Sequence, residues 1–197
     1  MNILLTTTSF QDTPGKHHDL LNSYNFNVIK LRGPLSEKQM LDCIDDIDGI
    51  ICGDDFITDN VISKGKKSKL KIISKYGIGL DKIDLNSAKR NKIPVFNCPG
   101  INKFSVAEHV FALLLNYTKN INDQVELTKN ESWIRYIGTE LYNKNFSVIG
   151  YGNIGKLVAK MAKNFNMNVF VYDKFISDDI KEYNYLSLEE IYDLSDI

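Results

Sequence analysis

Phe146-Ser147-Val148-Ile149-Gly150-Tyr151-Gly152-Asn153-Ile154-Gly155 leads an apolar strand pattern into a glycine turn. Eighteen residues after Gly150 comes a second apolar run, Asn168-Val169-Phe170-Val171-Tyr172, closed by Asp173. Between them the spacing predicts a helix over 153–164, with Ile154, Leu157, Val158 and Met161 on its sheet-facing stripe. Strand, tight turn, helix and strand with a terminal acid is the order that a dinucleotide pyrophosphate and its ribose require. Gly150 lets the chain turn sharply out of the strand. Gly152 has no Cβ, so a diphosphate can approach the main chain, and Gly155 allows close packing of the helix. The amides around Tyr151, Asn153 and Ile154 then face the phosphates at the positive end of the helix dipole. Asp173 is expected to accept hydrogen bonds from the adenosine ribose and to repel a 2′-phosphate, which favours NAD over NADP. The competing reading of the same residues is a structural turn with a helix-capping aspartate.

Working outward, apolar runs alternate with helix-like segments. Residues 3–7, 26–31, 49–52, 70–74 and 94–96 read as strands. Helices are expected from the Ser36-Glu37-Lys38-Gln39 capping box, from Thr58 and from Asp84. This βαβα order predicts an α/β fold: a flavodoxin-like, mostly parallel sheet followed by an incomplete Rossmann nucleotide-binding domain. The longest helix is expected to open on the capping box Ser105-Val106-Ala107-Glu108 and to run to about residue 120. Val106, Val110, Leu113, Leu114, Tyr117 and Ile121 share one face, and Phe111, Ala112 and Leu115 make the rest apolar too. Such a helix is covered on several sides, either at an interface or in a central core. Beyond residue 122 the chain turns polar, as an arm would. Ser187-Leu188-Glu189-Glu190 opens a last helix, and Ser195-Asp196-Ile197 reads as the start of a third strand of the second domain.

Composition narrows the function classes. The chain has 197 residues, 43% hydrophobic and 25% charged, with a net charge of −1. That balance gives no electrostatic case for nucleic acid or an acidic membrane surface. The lysines at 64, 66, 67 and 69 read as a solvated helix end. No apolar run approaches a membrane span, and the N-terminus lacks the basic and small-residue features of a signal peptide. Cys43, Cys52 and Cys98 show no metal-ligand spacing, so a metal site is not expected; free thiols fit a reducing cytoplasm.

Three further stretches carry a resemblance. They are Lys75-Tyr76-Gly77-Ile78-Gly79-Leu80-Asp81-Lys82-Ile83-Asp84, Ile93-Pro94-Val95-Phe96-Asn97-Cys98-Pro99-Gly100 and Ser105 to Leu115. With Trp133, Gly138, Glu140-Leu141, Lys144 and the glycine turn, they resemble in order and spacing the D-isomer-specific 2-hydroxyacid dehydrogenases, phosphoglycerate dehydrogenase-like members above all. The resemblance implies a substrate lobe over 1–98 and the first half of an NAD-binding domain over 99–197. It implies that the Tyr76, Gly77, Ile78, Gly79 turn offers N–H groups to the carboxylate of a small 2-hydroxy or 2-keto acid. It also implies that Val106 lies near the nicotinamide and that the nucleotide domain forms a homodimer.

The resemblance also defines what this stretch does not hold. The family's carboxylate-binding Arg and its Glu-oriented His acid/base match no position up to Ile197, so no catalytic residue is assigned. His109 reads as a buried or interface histidine, and His17 and His18 as solvated loop residues. Arg32 and Arg90 flank turns, and Arg135 lies in the polar arm. The expectation is an oxidoreductase lineage that is inactive alone, with an unpaired edge on strand 146–149 and adenosine-side cofactor binding at best. The alternatives are a non-catalytic protein that pairs with a full-length homologue, and a gene product without function.

Overall fold

The computed structural model describes residues 1–175 and 182–197, in two compact units, Met1–Ile101 and Asn102–Ile197. The first unit runs β1 (Asn2–Leu5), α1 (Thr8–Asp12), α2 (Lys16–Asn22), β2 (Asn27–Lys30), α3 (Glu37–Cys43), β3 (Gly49–Cys52), α4 (Asp59–Ser68), β4 (Ile72–Lys75), α5 (Leu85–Arg90) and β5 (Val95–Phe96). All pairings are parallel, in the order β2-β1-β3-β4-β5. That is the flavodoxin-like order, with a topological switch between β1 and β3.

The short apolar strands are covered by helices on their faces, as a parallel sheet requires. Leu4, Met40, Ile44, Ile50, Val61, Ile62, Leu70 and Ile73 form the fully buried centre. Local signals set the helix starts. Ser36 and Gln39 complete a capping box at α3, and the Asp84 carboxylate accepts from the Ser87 N–H at 2.8 Å at α5. Thr58 precedes α4 but does not cap it with its side chain. Its hydroxyl is turned to Glu37 Oε1 at 2.6 Å, a charge-assisted bond that joins α4 to α3. The lysine run ends α4, where cations suit the carbonyl end of the dipole. Two of its members are paired rather than merely solvated, Lys64 with Asp45 and Lys69 with Asp46.

The second unit opens with α6 (Lys103–Lys119) and α7 (Ile121–Lys129), joined at Asn120, whose φ of 51° turns the chain. Residues 130–144 hold neither helix nor strand. Then come β6 (Asn145–Ile149), α8 (Asn153–Asn164), β7 (Asn168–Tyr172), β8 (Asn184–Tyr185) and α9 (Leu188–Leu194), the strands parallel in the order β6-β7-β8.

Four expectations change here. The long helix begins at Lys103, not on a Ser105 capping box: the Val106 N–H already donates to the Asn102 carbonyl, so Ser105 and Glu108 lie inside the helix. Its buried residues are Ala107, Phe111 and Thr118, while Leu113 and Tyr117 are exposed, so it is not a central core helix. Small Ala107 permits close approach, and Phe111 stacks between Phe146 and Phe165. The polar stretch begins as a helix, α7, that has no buried residue.

Finally, residues 196–197 do begin to pair as a strand, along the side of β6 away from β7, and β8 is an additional short strand before them: Asn145 O accepts from the Asp196 and Ile197 N–H groups, and Ile197 O accepts from the Ser147 N–H. The edge expected to be unpaired is therefore bonded over residues 145–147, and Ile149 remains exposed.

One buried carboxylate organises the loops of the first unit. Asp55 is fully buried and accepts from Thr6 Oγ1 at 2.5 Å, the Leu35 N–H at 2.7 Å and the Gly53 N–H at 2.9 Å. It thus ties the ends of β1 and β3 to the loop before α3. Replacing Asp55 by Ala orphans the Leu35 and Gly53 N–H groups and leaves Thr6 Oγ1 only the Ile51 carbonyl at 3.4 Å, and we expect a loss of about 3 kcal/mol in urea unfolding.

Candidate functional site

In the first unit a crevice of about 260 Å³ opens at the carboxyl ends of β1, β3 and β4, beside the switch point. This is where open parallel sheets bind ligands. Its walls are the hydroxyl-rich run after β1 (Thr6 to Ser9), Gly33-Pro34, Gly53-Asp54 and the stretch from Lys75 to Gly79. The structure brings Tyr76, Gly77, Ile78 and Gly79 together on one wall. Their carbonyl side is anchored: Gly77 O accepts from the Cys98 N–H at 2.9 Å, and Ile78 O from Asn97 Nδ2 at 2.8 Å. The Tyr76 N–H donates to Cys52 O at 2.9 Å, so it completes the sheet instead of serving a ligand. Gly77, Ile78 and Gly79 supply the turn's other N–H groups. Gly33 is required by space, since a Cβ there would sit 2.6 Å from Asp55 Oδ1.

Lys75 forms the crevice floor. Its side chain is 6% exposed, and Nζ donates to Gly53 O and to Asp54 Oδ1, both at 2.5 Å. Beside the crevice, His17 and His18 lie in the first turn of α2 and not in a solvated loop. Their rings pack edge-on against Phe10, and their Nε2 atoms lie 3.1 Å from Phe10 O and Thr13 O. The buried Cys52 thiol is pushed up to about 12, mainly by burial, which makes it inert as a nucleophile at neutral pH.

In the second unit the glycine turn joins β6 to α8. Gly150 adopts φ +101°, a backbone region that side chains disfavour, and its N–H donates to Tyr172 O at 2.7 Å. A Cβ on Gly155 would sit 1.9 Å from Gly150 O, so that position admits glycine alone. A Cβ on Gly152 meets no described residue within 4 Å. Among the described residues the N-terminus of α8 is therefore open above Gly152, and the amides of Asn153 and Ile154 have no carbonyl one turn earlier in the helix. The space and the donors fit a diphosphate. Val106 is half-buried near the start of α6, and His109, on the same helix, is exposed, so the buried reading of that histidine does not hold.

Asp173 braces this turn from the end of β7. Its Oδ2 accepts from the Tyr151 N–H at 2.6 Å and its Oδ1 from the Phe175 N–H at 2.8 Å. Tyr151, grouped with the cradle amides above, thus donates to Asp173. These backbone bonds, Phe175 first and Tyr151 second, hold the carboxyl below its usual value.

Sequence reasoning missed Thr6 to Ser9, Gly33, Asp54 and Asp55. The one available signal was the Thr-Thr-Thr-Ser run directly after an apolar strand. Among the described residues no cluster of His, Cys, Asp or Glu is arranged to hold a metal ion, and no helix is long and apolar enough to cross a membrane.

The profile of the D-isomer specific 2-hydroxyacid dehydrogenase catalytic domain matches residues 6–182. A D-3-phosphoglycerate dehydrogenase from Synechocystis is 36% identical over 154 residues, 77% of this chain and 27% of that protein. A D-lactate dehydrogenase from Aquifex aeolicus, solved with NAD and lactic acid, superposes with a TM-score of 0.82 at 28% identity, over 99% of this chain and 59% of that one. An acyclic imino acid reductase, solved with NADPH and D-Arg, gives 0.83 at 30% identity, over 100% and 63%. The chain spans little more than a quarter of the curated phosphoglycerate dehydrogenases it matches first.

Two outcomes follow from the glycine turn and its brace. Gly155→Ala forces Gly150 O to move and should cost about 1–3 kcal/mol in denaturant unfolding, whereas Gly152→Ala should be close to neutral. The depressed pKa of Asp173 contributes stability that is complete above its ordinary value of 3.8 and is lost as pH falls through the lower folded value. Asp173→Asn should therefore flatten the acid limb of a stability–pH curve below about pH 4.

Proposed function

This chain belongs to the D-isomer specific 2-hydroxyacid dehydrogenase family, and we propose that it is the portion of an NAD-dependent 2-hydroxyacid oxidoreductase that holds the acid and the adenosine side of the cofactor. The acid occupies the crevice of the first unit, its carboxylate facing the N–H groups of Gly77, Ile78 and Gly79. In the second unit the pyrophosphate lies over Gly152 on the amides of Asn153 and Ile154, and Asp173 takes the ribose hydroxyls. Val106 contributes an apolar surface toward the nicotinamide. The bound dinucleotide supplies the hydride chemistry, and the residues of this chain position it.

The observation that carries this reading is the space that the described residues leave above Gly152, at an α8 N-terminus without a side-chain cap. The carboxylate of Asp173 favours NAD, because a 2′-phosphate beside it would meet a like charge. The reading includes no turnover by these residues alone. Among the described residues neither a histidine nor an arginine lines the crevice. Arg32 is held by Asp12 and Arg90 by Asp59, both by ion pairs. The three free cysteines fit a cytoplasmic protein.

Calorimetric titration tests the cofactor assignment. NADH should bind, NADPH should bind about tenfold more weakly or worse, and Gly152→Ala should lower NADH affinity at least about tenfold without changing the melting temperature. NADH binding indifferent to Gly152→Ala would remove the assignment. Oxidation of NADH by this chain with hydroxypyruvate or glyoxylate would remove the statement that it does not turn over.

A second reading, pairing with another copy or with a full-length homologue, is favoured by one observation. Leu113, Tyr117, Ile121 and Val125 expose apolar side chains along α6 and α7. Tyr117→Lys should then shift the protein to a smaller mass in light scattering, and an unchanged mass would argue against pairing through these helices.

A further inference from the structure

The charges lining the crevice of the first unit belong to a single ion pair, and that pair is lopsided. The Lys75 side chain is 6% exposed, whereas that of Asp54 is 81% exposed. The ammonium lies on the floor, neutralised by Asp54 Oδ1 and the Gly53 carbonyl, so an entering ligand meets the carboxylate. The remaining polar wall is neutral and hydroxylic. Thr6 Oγ1 is engaged by Asp55, the Thr7 and Ser9 hydroxyls lie 3.1 Å apart, and Thr8 stands between them in sequence.

We propose that Asp54, fixed by Lys75, makes this crevice select 2-hydroxy acids with a neutral, hydroxylated side group and reject those that carry a phosphate. The inference rests on the reading of the crevice as the place of the acid. One carboxylate on the ligand is accommodated by the N–H groups of the Gly77-Ile78-Gly79 turn. A phosphate monoester adds about −1.5 to −2 further charges at neutral pH. Among the described lining residues no cation is left to face them, since Lys75 already has its counter-ion, and the exposed charge there has the same sign. The guanidinium of Arg32, in the same unit, is held in a two-point pair by Asp12, at 2.5 and 2.8 Å, and does not line the crevice. A neutral hydroxyl on the side group finds donors and acceptors of its own kind along residues 6–9.

The test is a pair of calorimetric titrations, D-glycerate and 3-phospho-D-glycerate, into the unmutated protein and into Asp54→Asn. Asn keeps an oxygen acceptor for Lys75 at an exposed position. The unmutated protein should prefer glycerate by about tenfold, the scale of one partly screened charge repulsion. Asp54→Asn should shrink that preference to about threefold or less, chiefly by tightening the phosphorylated ligand. If the variant unfolds, salt gives the same information, because the preference in the unmutated protein must fall as ionic strength rises. Equal or tighter binding of the phosphorylated acid, a ratio unchanged in folded Asp54→Asn, or a ratio indifferent to salt overturns the selectivity alone. Failure of both acids to bind at millimolar concentration overturns the reading of the crevice as well.

Discussion

A parallel sheet delivers every strand end to the same edge, and strand pairing stops there. Something else has to fix the loops that leave that edge. In both units it is a carboxylate bonded to backbone N–H groups. Asp55 gathers Thr6, Leu35 and Gly53 around the end of β1, and Asp173 holds the Tyr151 amide at the end of β6. The first is sealed from water and the second is partly open to it. The crevice and the glycine turn both inherit their shape from these ties. Charged acceptors suit the task because each of their hydrogen bonds is stronger than a neutral one, and one side chain can serve several donors.

The parts of the fold that were legible in the sequence are those governed by local rules. Helix α8 and strand β7 have the boundaries that their periodicity and the glycine turn imply, and the boxes at Ser36 and Ser187 close as their spacing suggests. Members of the candidate site were legible for the same reason: Gly150 and Gly155 stand where backbone geometry admits nothing larger. What stayed hidden depends on the third dimension. Asp55 looks like any loop aspartate until Thr6 and Leu35, distant in sequence, converge on it. The two residues of β8 carry no periodicity, and their pairing to β7 is decided by the partner strand. Helix α6 misled because its apolar residues surround it, while Ala107 and Phe111, flanked by Val110, Leu114 and Leu115, pack on the core of the unit and Leu113 and Tyr117 stay exposed.

The two units hold charge differently. Among the described residues the glycine turn leaves helix donors uncapped, an arrangement that draws in an anion. Among its described lining residues the crevice keeps one cation, Lys75, beneath the Asp54 carboxylate, which leaves that carboxylate, hydroxyls and amides as the accessible polar groups. Members of a family that shares one scaffold can differ in substrate through such small inventories of exposed charge, without any change in the strands that carry them.

The brace at Asp173 has a consequence for how a ribose would be received. Each oxygen of a carboxylate has two lone pairs, and each oxygen here accepts one backbone hydrogen. A diol arriving from outside can therefore share this side chain without evicting the amides that position it. On the proposed reading the receptor is organised before the guest arrives, and the entropy of ordering it is given up during folding, not at the moment of association.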